Sequence, residues 1–324
     1  MSGAALVTGG AGYIGAQACK SLANAGYLPV AYDNLSRGHR DAVRWGPLVE
    51  GDIDDRPLLV ETLARFQPVA VMHFAGYIAA GESVAEPALY FHNNVSGSLT
   101  LFEALLASGG PPVVFSSSAA VYGLPESVPI AETAARRPVN PYGETKLVVE
   151  RALEWLDRAH GLRHVALRYF NAAGADPDGE IGERHEPETH LIPLVLDAAA
   201  GRGGPVEIFG TDYPTRDGTA IRDYIHVQDL AEAHVRALDY LLAGGASMAL
   251  NLGTGAGHSV REVIRATERV TGLPVPYREA PRRPGDPPIL VADAGRAKAV
   301  LGWQPALPAL DDMIATAWNW QKLP

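Results

Sequence analysis

Along the first half of the chain, short β-branched runs alternate with longer stretches whose apolar positions recur every three to four residues. The runs Ala4–Thr8, Leu28–Tyr32, Val69–His73, Val113–Ser117 and His164–Arg168 predict strands. Tyr13–Ala25, Pro57–Arg65, Val95–Ala107 and Tyr142–His160 predict the helices between them. Strands that alternate with helices make a parallel sheet covered on both faces. The expected fold class is therefore α/β, a Rossmann-type doubly wound parallel sheet with ligands at the carboxyl ends of its strands.

After Asn171 the pattern loosens. Ala172–Glu188, Gly201–Gly218 and Leu273–Pro288 are rich in Gly and Pro and read as loops. Helices are expected over Leu191–Ala200, Asp229–Leu242, Val260–Thr271 and Ala294–Leu301, and Ala249–Leu252 reads as a strand that returns to the parallel sheet. The expected division is a dinucleotide-binding domain over residues 1–170, with segments near 219–256 returning to it, and a smaller C-terminal substrate domain over residues 171–324.

Composition narrows the function. The 324 residues are 47% apolar, an ordinary value for a globular protein with a real core. Net charge is −10 and no basic stripe is present, which argues against a nucleic-acid partner. A few arginines and helix N-termini still suffice for phosphates. No apolar run reaches the ~20 residues of a membrane span, and the start of the chain lacks the pattern of a signal peptide. The single cysteine, Cys19, excludes an intramolecular disulfide and fits a reducing compartment. The expectation is a cytoplasmic protein with no membrane partner.

The strand Ala4–Thr8 runs into Gly9-Gly10-Ala11-Gly12-Tyr13-Ile14-Gly15. Glycines at the first, fourth and seventh positions of this turn permit close approach to a pyrophosphate, and the following helix presents its N-terminal amides. The spacing alone is a weak signal. Asp33 strengthens it, because it ends the second strand about where a ribose-binding acid belongs. A carboxylate there favours NAD over NADP, although Arg37 close by weighs the other way. Tyr142 and Lys146, four residues apart on one helix, share a face. A free phenol has a pKa of about 10, and a neighbouring positive charge favours its ionised form. Ser116-Ser117-Ser118 ends another strand and offers hydroxyls at the same sheet edge.

In this order, these pieces make the chain resemble the extended short-chain dehydrogenase/reductase family, and within it the UDP-glucose 4-epimerases. His73-Phe74-Ala75-Gly76, Gly81-Glu82-Ser83, Asn93-Asn94-Val95 and Arg168-Tyr169-Phe170-Asn171 carry the resemblance along the chain. Arg222-Asp223-Tyr224-Ile225-His226-Val227, Asn251-Leu252-Gly253 and Pro281-Arg282-Arg283-Pro284-Gly285-Asp286 carry it to the end. It implies that Ser118, Tyr142 and Lys146 are catalytic. It implies NAD contacts at Gly9, Gly12, Tyr13, Ile14, Gly15, Asp33, Asn34, Ser36, Asp52 and Ile53. Phe74, Ala75, Gly76, Asn94, Ser116, Tyr142, Lys146 and Tyr169 complete that set. A UDP-sugar is expected at Ser118, Asn171, His190, Leu191, Phe209, Arg222, Arg283, Asp286 and Leu290. No metal is implied.

The implied reaction is reversible epimerisation at C4 of a UDP-hexose. Hydride passes to tightly bound NAD, a 4-keto sugar turns over, and hydride returns to its opposite face. The resemblance also implies a homodimer, with Val95–Ala107 and Tyr142–His160 as the candidate interface helices. Departures from the family pattern are Ile78 where many members have Lys, Ala120 for Thr, and His190 for Asn. His190 is left as a substrate donor, a satisfied partly buried histidine or a pH-sensitive contact. Leu290 is smaller than the Tyr of narrowly specific members and leaves room for N-acetylated hexosamines. Ala119 and Ala120 cannot transfer protons, which argues against a 4,6-dehydratase. A 4-epimerase of UDP-pentoses or UDP-uronates and a catalytically idle NAD-sensing protein stay open.

Overall fold

The computed structural model describes residues 3–283 and 285–322 of the 324. Pro284, within one of the runs quoted above, lies outside the described residues. The first half builds β1 (Ala4–Thr8), α1 (Tyr13–Asn24), β2 (Leu28–Asp33), β3 (Leu48–Glu50), α2 (Arg56–Phe66) and β4 (Ala70–His73). It continues with α3 (Ala80–Ala85), α4 (Pro87–Tyr90), α5 (Gly97–Ala107), β5 (Val113–Ser118), α6 (Pro141–His160) and β6 (His164–Tyr169). The second half holds β7 (Asn171–Ala173), α7 (Leu191–Ala199), β8 (Val206–Phe209), β9 (Ile221–His226), α8 (Val227–Leu242) and β10 (Met248–Leu252). Then come β11 (Gly257–Ser259), α9 (Val260–Thr271), β12 (Tyr277–Ala280), β13 (Ile289–Leu290), α10 (Gly295–Leu301) and α11 (Leu310–Gln321).

Seven parallel strands form the main sheet in the order β10-β6-β5-β4-β1-β2-β3. The chain order reverses between β1 and β4, so a crevice opens at the carboxyl ends of those two strands, where ligands bind in such sheets. β1, β4 and β5 are buried throughout. This is why they read as continuous apolar runs and not as alternating ones. One apolar layer packs α1 and α8 on the sheet through Leu22, Leu230 and Leu238. The other packs α2, α5 and α6 through Leu63, Leu101, Phe102 and Leu153. A further core joins α7, α9 and α11 to β8 and β9 through Leu196, Val263, Ile314, Ile208 and Tyr224. The strand foreseen at Ala249–Leu252 is β10, which pairs with β6 at the edge of the main sheet.

Local chemistry sets the ends of the site-bearing helix α6. Asn140 accepts the Gly143 amide at 2.8 Å, Pro141 opens the first turn, and Gly161 closes the helix at φ +72°. The helix expected over Val95–Ala107 is longer than its pattern. It begins at Pro87 and passes through a π-helical stretch, Phe91–Ser96, before α5. The polar run His92-Asn93-Asn94 hides the periodicity, and Asn94 is turned inward, where its amide is satisfied. The short strands β3, β7, β8 and β11 to β13, and the helix α11, were not foreseen. Neither was β9, whose Asp223 is buried and accepts amides from Thr254, Gly255 and Ala292. A strand that buries a carboxylate does not announce itself by apolar pattern.

Candidate active site

The turn after β1 is built for a close ligand. Gly9 holds φ +73°, and a Cβ there would stand 2.7 Å from the Ala75 amide nitrogen. A Cβ on Gly15 would stand 2.1 Å from the Gly9 carbonyl oxygen. No side chain caps the first amides of α1, so they remain free for an anion. Asp33 ends β2 with one carboxylate oxygen on the Ala11 amide at 3.0 Å and the other on the Leu35 amide at 2.8 Å. Burial raises its pKa, and these two amides partly offset that. The carboxylate is thus fixed beside the glycine turn. Arg37, which left NADP in play, pairs with Glu82 at 2.9 Å and lies over the Tyr77 ring. The glycine cradle, the free amides and the fixed acid all fit a dinucleotide.

A cavity of about 680 Å³ extends from this turn to the start of α7. It lies in the upper part of the roughly 300–1,000 Å³ range of ligand pockets. Gly9, Gly12, Tyr13, Ile14, Gly15, Asp33, Asn34, Ser36, Asp52, Ile53, Phe74, Ala75, Gly76 and Tyr169 line it. Ser116, Ser118, Tyr142, Lys146, Asn171 and His190 line the same space. Asn94 stands behind the wall. Its side chain accepts the Tyr77 amide at 2.8 Å and donates to the Tyr77 carbonyl at 3.0 Å, so it shapes the Gly76–Tyr77 turn.

Ser118, Tyr142 and Lys146 meet at the carboxyl end of β5. The Ser118 hydroxyl accepts the Ala120 amide at 3.1 Å and stabilises the ionised Tyr142 phenol. The Lys146 ammonium is buried, donates to the Ser116 carbonyl at 2.8 Å, and lies 5.9 Å from the Tyr142 ring centre. Burial lowers its pKa to about 8 against the opposing pull of Glu150. Glu150 itself is held by Arg168 at 2.8 and 2.6 Å and by the Ser117 hydroxyl. Burial raises the Tyr142 pKa and the Ser118 hydroxyl offsets part of that, while Lys146 donates to the Ser116 carbonyl and not to the phenol.

The remaining expected substrate residues stand apart from this cavity. Arg222 is ion-paired with Asp286, and the Arg283 guanidinium lies 3.9 Å from the Phe209 ring centre. Leu290 pairs in register with Arg222 and packs against the apolar cluster of Ala119, Tyr122 and Leu147. Leu191 opens α7 and packs into the C-terminal core. β7 links the two places: Asn171 lines the cavity and its strand pairs with β9, which carries Arg222. The sequence reading missed Tyr77, Asn93, Thr189 and the loop residues Glu183 and His185, all of which line the cavity. Tyr77 adjoins a quoted motif and Asn93 lies within one. The loop residues carry no periodic signal. Tyr213 was also missed; its buried hydroxyl has no hydrogen-bond partner among the described residues and stands close to Arg222 and Asp286.

A glycine turn, a ribose acid and a Ser–Tyr–Lys set on a doubly wound sheet define a dinucleotide-dependent enzyme that moves hydride at a carbinol carbon. The chain belongs to the NAD dependent epimerase/dehydratase family, whose model matches residues 5–253. It is 56% identical to a UDP-glucose 4-epimerase of Rhizobium leguminosarum bv. trifolii, covering 97% of this chain and 96% of that protein. The crystal structure of UDP-glucose 4-epimerase from Brucella ovis in complex with NAD superposes with a TM-score of 0.96 at 53% identity, covering 98% of each chain. The enzyme from Stenotrophomonas maltophila, with bound NAD and formylated UDP-arabinopyranose, does so with 0.96 at 44% identity, covering 99% of this chain and 98% of that one.

Proposed function

We propose that this chain interconverts UDP-glucose and UDP-galactose at C4 with NAD held through the cycle. The observation that carries the reading is the meeting of Ser118, Tyr142 and Lys146 in one cavity with the glycine turn and Asp33. The similarity to UDP-glucose 4-epimerases over nearly the whole chain supports the substrate. Bound NAD supplies the hydride acceptor and donor at its nicotinamide. Tyr142 takes up the proton of the sugar 4-hydroxyl on oxidation and returns it on reduction. Ser118 holds the same oxygen by its hydroxyl. Lys146 keeps a positive charge beside the phenol and favours its ionised form.

Arg222 and Arg283 grip the diphosphate, for which forked donors are suited. Phe209, Asn171 and Asp286 take the rest of the nucleotide. Anchoring the nucleotide while leaving the sugar loosely held allows both faces of C4 to be presented, a use of remote binding energy. Ala119 and Ala120 line the turn after Ser118 where an eliminating enzyme needs an acid and a base. Leu290, half-buried beside that turn, leaves room for an N-acetyl group, so UDP-N-acetylhexosamines are included as substrates. The enzyme works as a homodimer through α5 and α6.

The deciding experiment incubates the purified protein with UDP-galactose and no added cofactor, and follows UDP-glucose over time, with UDP-N-acetylglucosamine as second substrate. Formation of UDP-glucose is expected. No product, even with NAD added, would overturn the reading and point to a different nucleotide sugar or, if a wider panel of UDP-sugars also failed, to an NAD-sensing protein.

A further inference from the structure

Between β7 and α7 the chain loops over the mouth of the cavity, and four of its side chains converge. Glu183, His185, Glu188 and His190 each direct one ligand-type atom to a common point, all within 4.8 Å of one another. The Nδ1 of His190 lies 2.8 Å from Glu183 and 3.1 Å from Glu188, and the Nδ1 of His185 lies 3.0 and 3.8 Å from the same two residues. Four ligands bound tetrahedrally at 2.0–2.2 Å stand roughly 3.3 Å from one another. Three of the separations, 2.8–3.1 Å, fall a little short of that edge, and the fourth, 3.8 Å from His185 to the other Glu188 oxygen, exceeds it. Charge also balances, since two carboxylates and two neutral imidazoles neutralise one divalent ion.

Hydrogen bonding accounts for part of the arrangement, since Glu188 also accepts the Thr189 and His190 amides at 2.7 and 2.8 Å. Each Nδ1 carries at most one hydrogen yet faces two carboxylates, and both imidazoles aim at the same Glu183 oxygen. The second acidic group of this loop makes the contrast. Asp176, Asp178 and Glu180 already surround the Lys20 ammonium at 2.7–2.8 Å, so a cation fills their centre. Among the described residues, only these two groups have the composition and spacing of a cation site. The Glu/His group has no lysine or arginine within it.

We infer that Glu183, His185, Glu188 and His190 form a binding site for one divalent transition metal, of which Zn²⁺ is the best match for a two-imidazole, two-carboxylate set. The ion clamps the loop against the cavity mouth, with Glu183 and Glu188 facing Tyr13 of the phosphate-binding turn. The metal is structural; the epimerisation chemistry does not pass through it. No such site was expected from the sequence, because Glu-x-His-x-x-Glu-x-His falls in a loop where spacing fixes no geometry.

The test uses the full chain with its NAD, dialysed against chelator and titrated calorimetrically with ZnCl₂, alongside His185→Ala and Glu188→Gln. The expected result is one Zn²⁺ per wild-type chain, with affinity lowered by more than the 10–100-fold typical of outer-shell changes in either variant. Co²⁺ in the wild-type protein should give the visible absorption of a tetrahedral ion, a readout that does not depend on the variants folding. Binding of less than about one ion per ten chains, or binding unchanged in both variants, overturns the site and leaves an ion-paired loop.

Discussion

Tyr142 is half-buried, and desolvation pushes its phenol above the usual value while the Ser118 hydroxyl pulls it back. The nearby ammonium of Lys146 donates one of its three hydrogens to the Ser116 carbonyl and not to the phenol. The proton-transfer role therefore rests on one hydroxyl whose removal leaves the ring in place. Tyr142→Phe should lower turnover of UDP-galactose by about 10²–10⁴-fold, the usual scale of a lost acid–base group, with NAD retention and melting temperature little changed. A variant that keeps most of its turnover would remove Tyr142 from the mechanism. Arg168 belongs to a motif that marked the resemblance, yet its part is structural. Its guanidinium holds the buried Glu150, one helical turn beyond Lys146. Breaking such a pair costs about 3–5 kcal/mol, so its loss would act on folding before chemistry.

At the scale of elements, α5 and α6 present apolar side chains to solvent. Leu99 is 40% exposed and Trp155 66%, and Leu89 and Phe91 on the preceding helical turns are similarly open. Large apolar side chains left open on neighbouring helices are what an interaction site would cover. A second copy of the chain covering it is the proposed dimer. Trp155→Glu combined with Leu99→Glu should convert a dimeric elution to a monomeric one in light scattering; a wild-type protein that is already monomeric would sink the proposal. The elements best read from the sequence were those with the most regular burial. β1, β4 and β5 are buried on both faces, and α1 and α6 repeat their apolar positions over three or more turns. What stayed hidden was short or polar. β13 has two residues, and β9 carries Arg222, Asp223 and His226, each satisfied by partners far along the chain. The proposed catalytic pair could be read because a helix fixes the spacing of Tyr142 and Lys146. Arg222 and Arg283, proposed to hold the nucleotide, could be named only by resemblance, since tertiary pairing decides where they point.

The whole molecule is tied together by buried histidines that must stay neutral. His73 ends β4, between Thr8 at 2.6 Å and Ser98 at 2.8 Å. His226 joins β9 to α8, accepts the Gln228 amide at 3.1 Å and meets Thr316 of α11. His234 in α8 packs against Phe74 and Tyr169, both of which line the cavity. Burial lowers their pKa values to about 3, 4 and 4. An unfolded histidine titrates near 6.5. Between about pH 6.5 and 4 the unfolded chain therefore binds more protons than the folded one, and stability falls as pH falls through that window. With three groups the slope reaches about 4 kcal/mol per pH unit, steep enough to exhaust a typical stability of 5–15 kcal/mol. Melting temperature should drop sharply below pH 6, with loss of epimerase activity following because His234 supports two walls of the cavity. His234→Phe should flatten the slope by about a third. An unchanged slope in that variant would mean that acid lability comes from elsewhere, and that the apolar surroundings of α8 do not hold the histidine neutral.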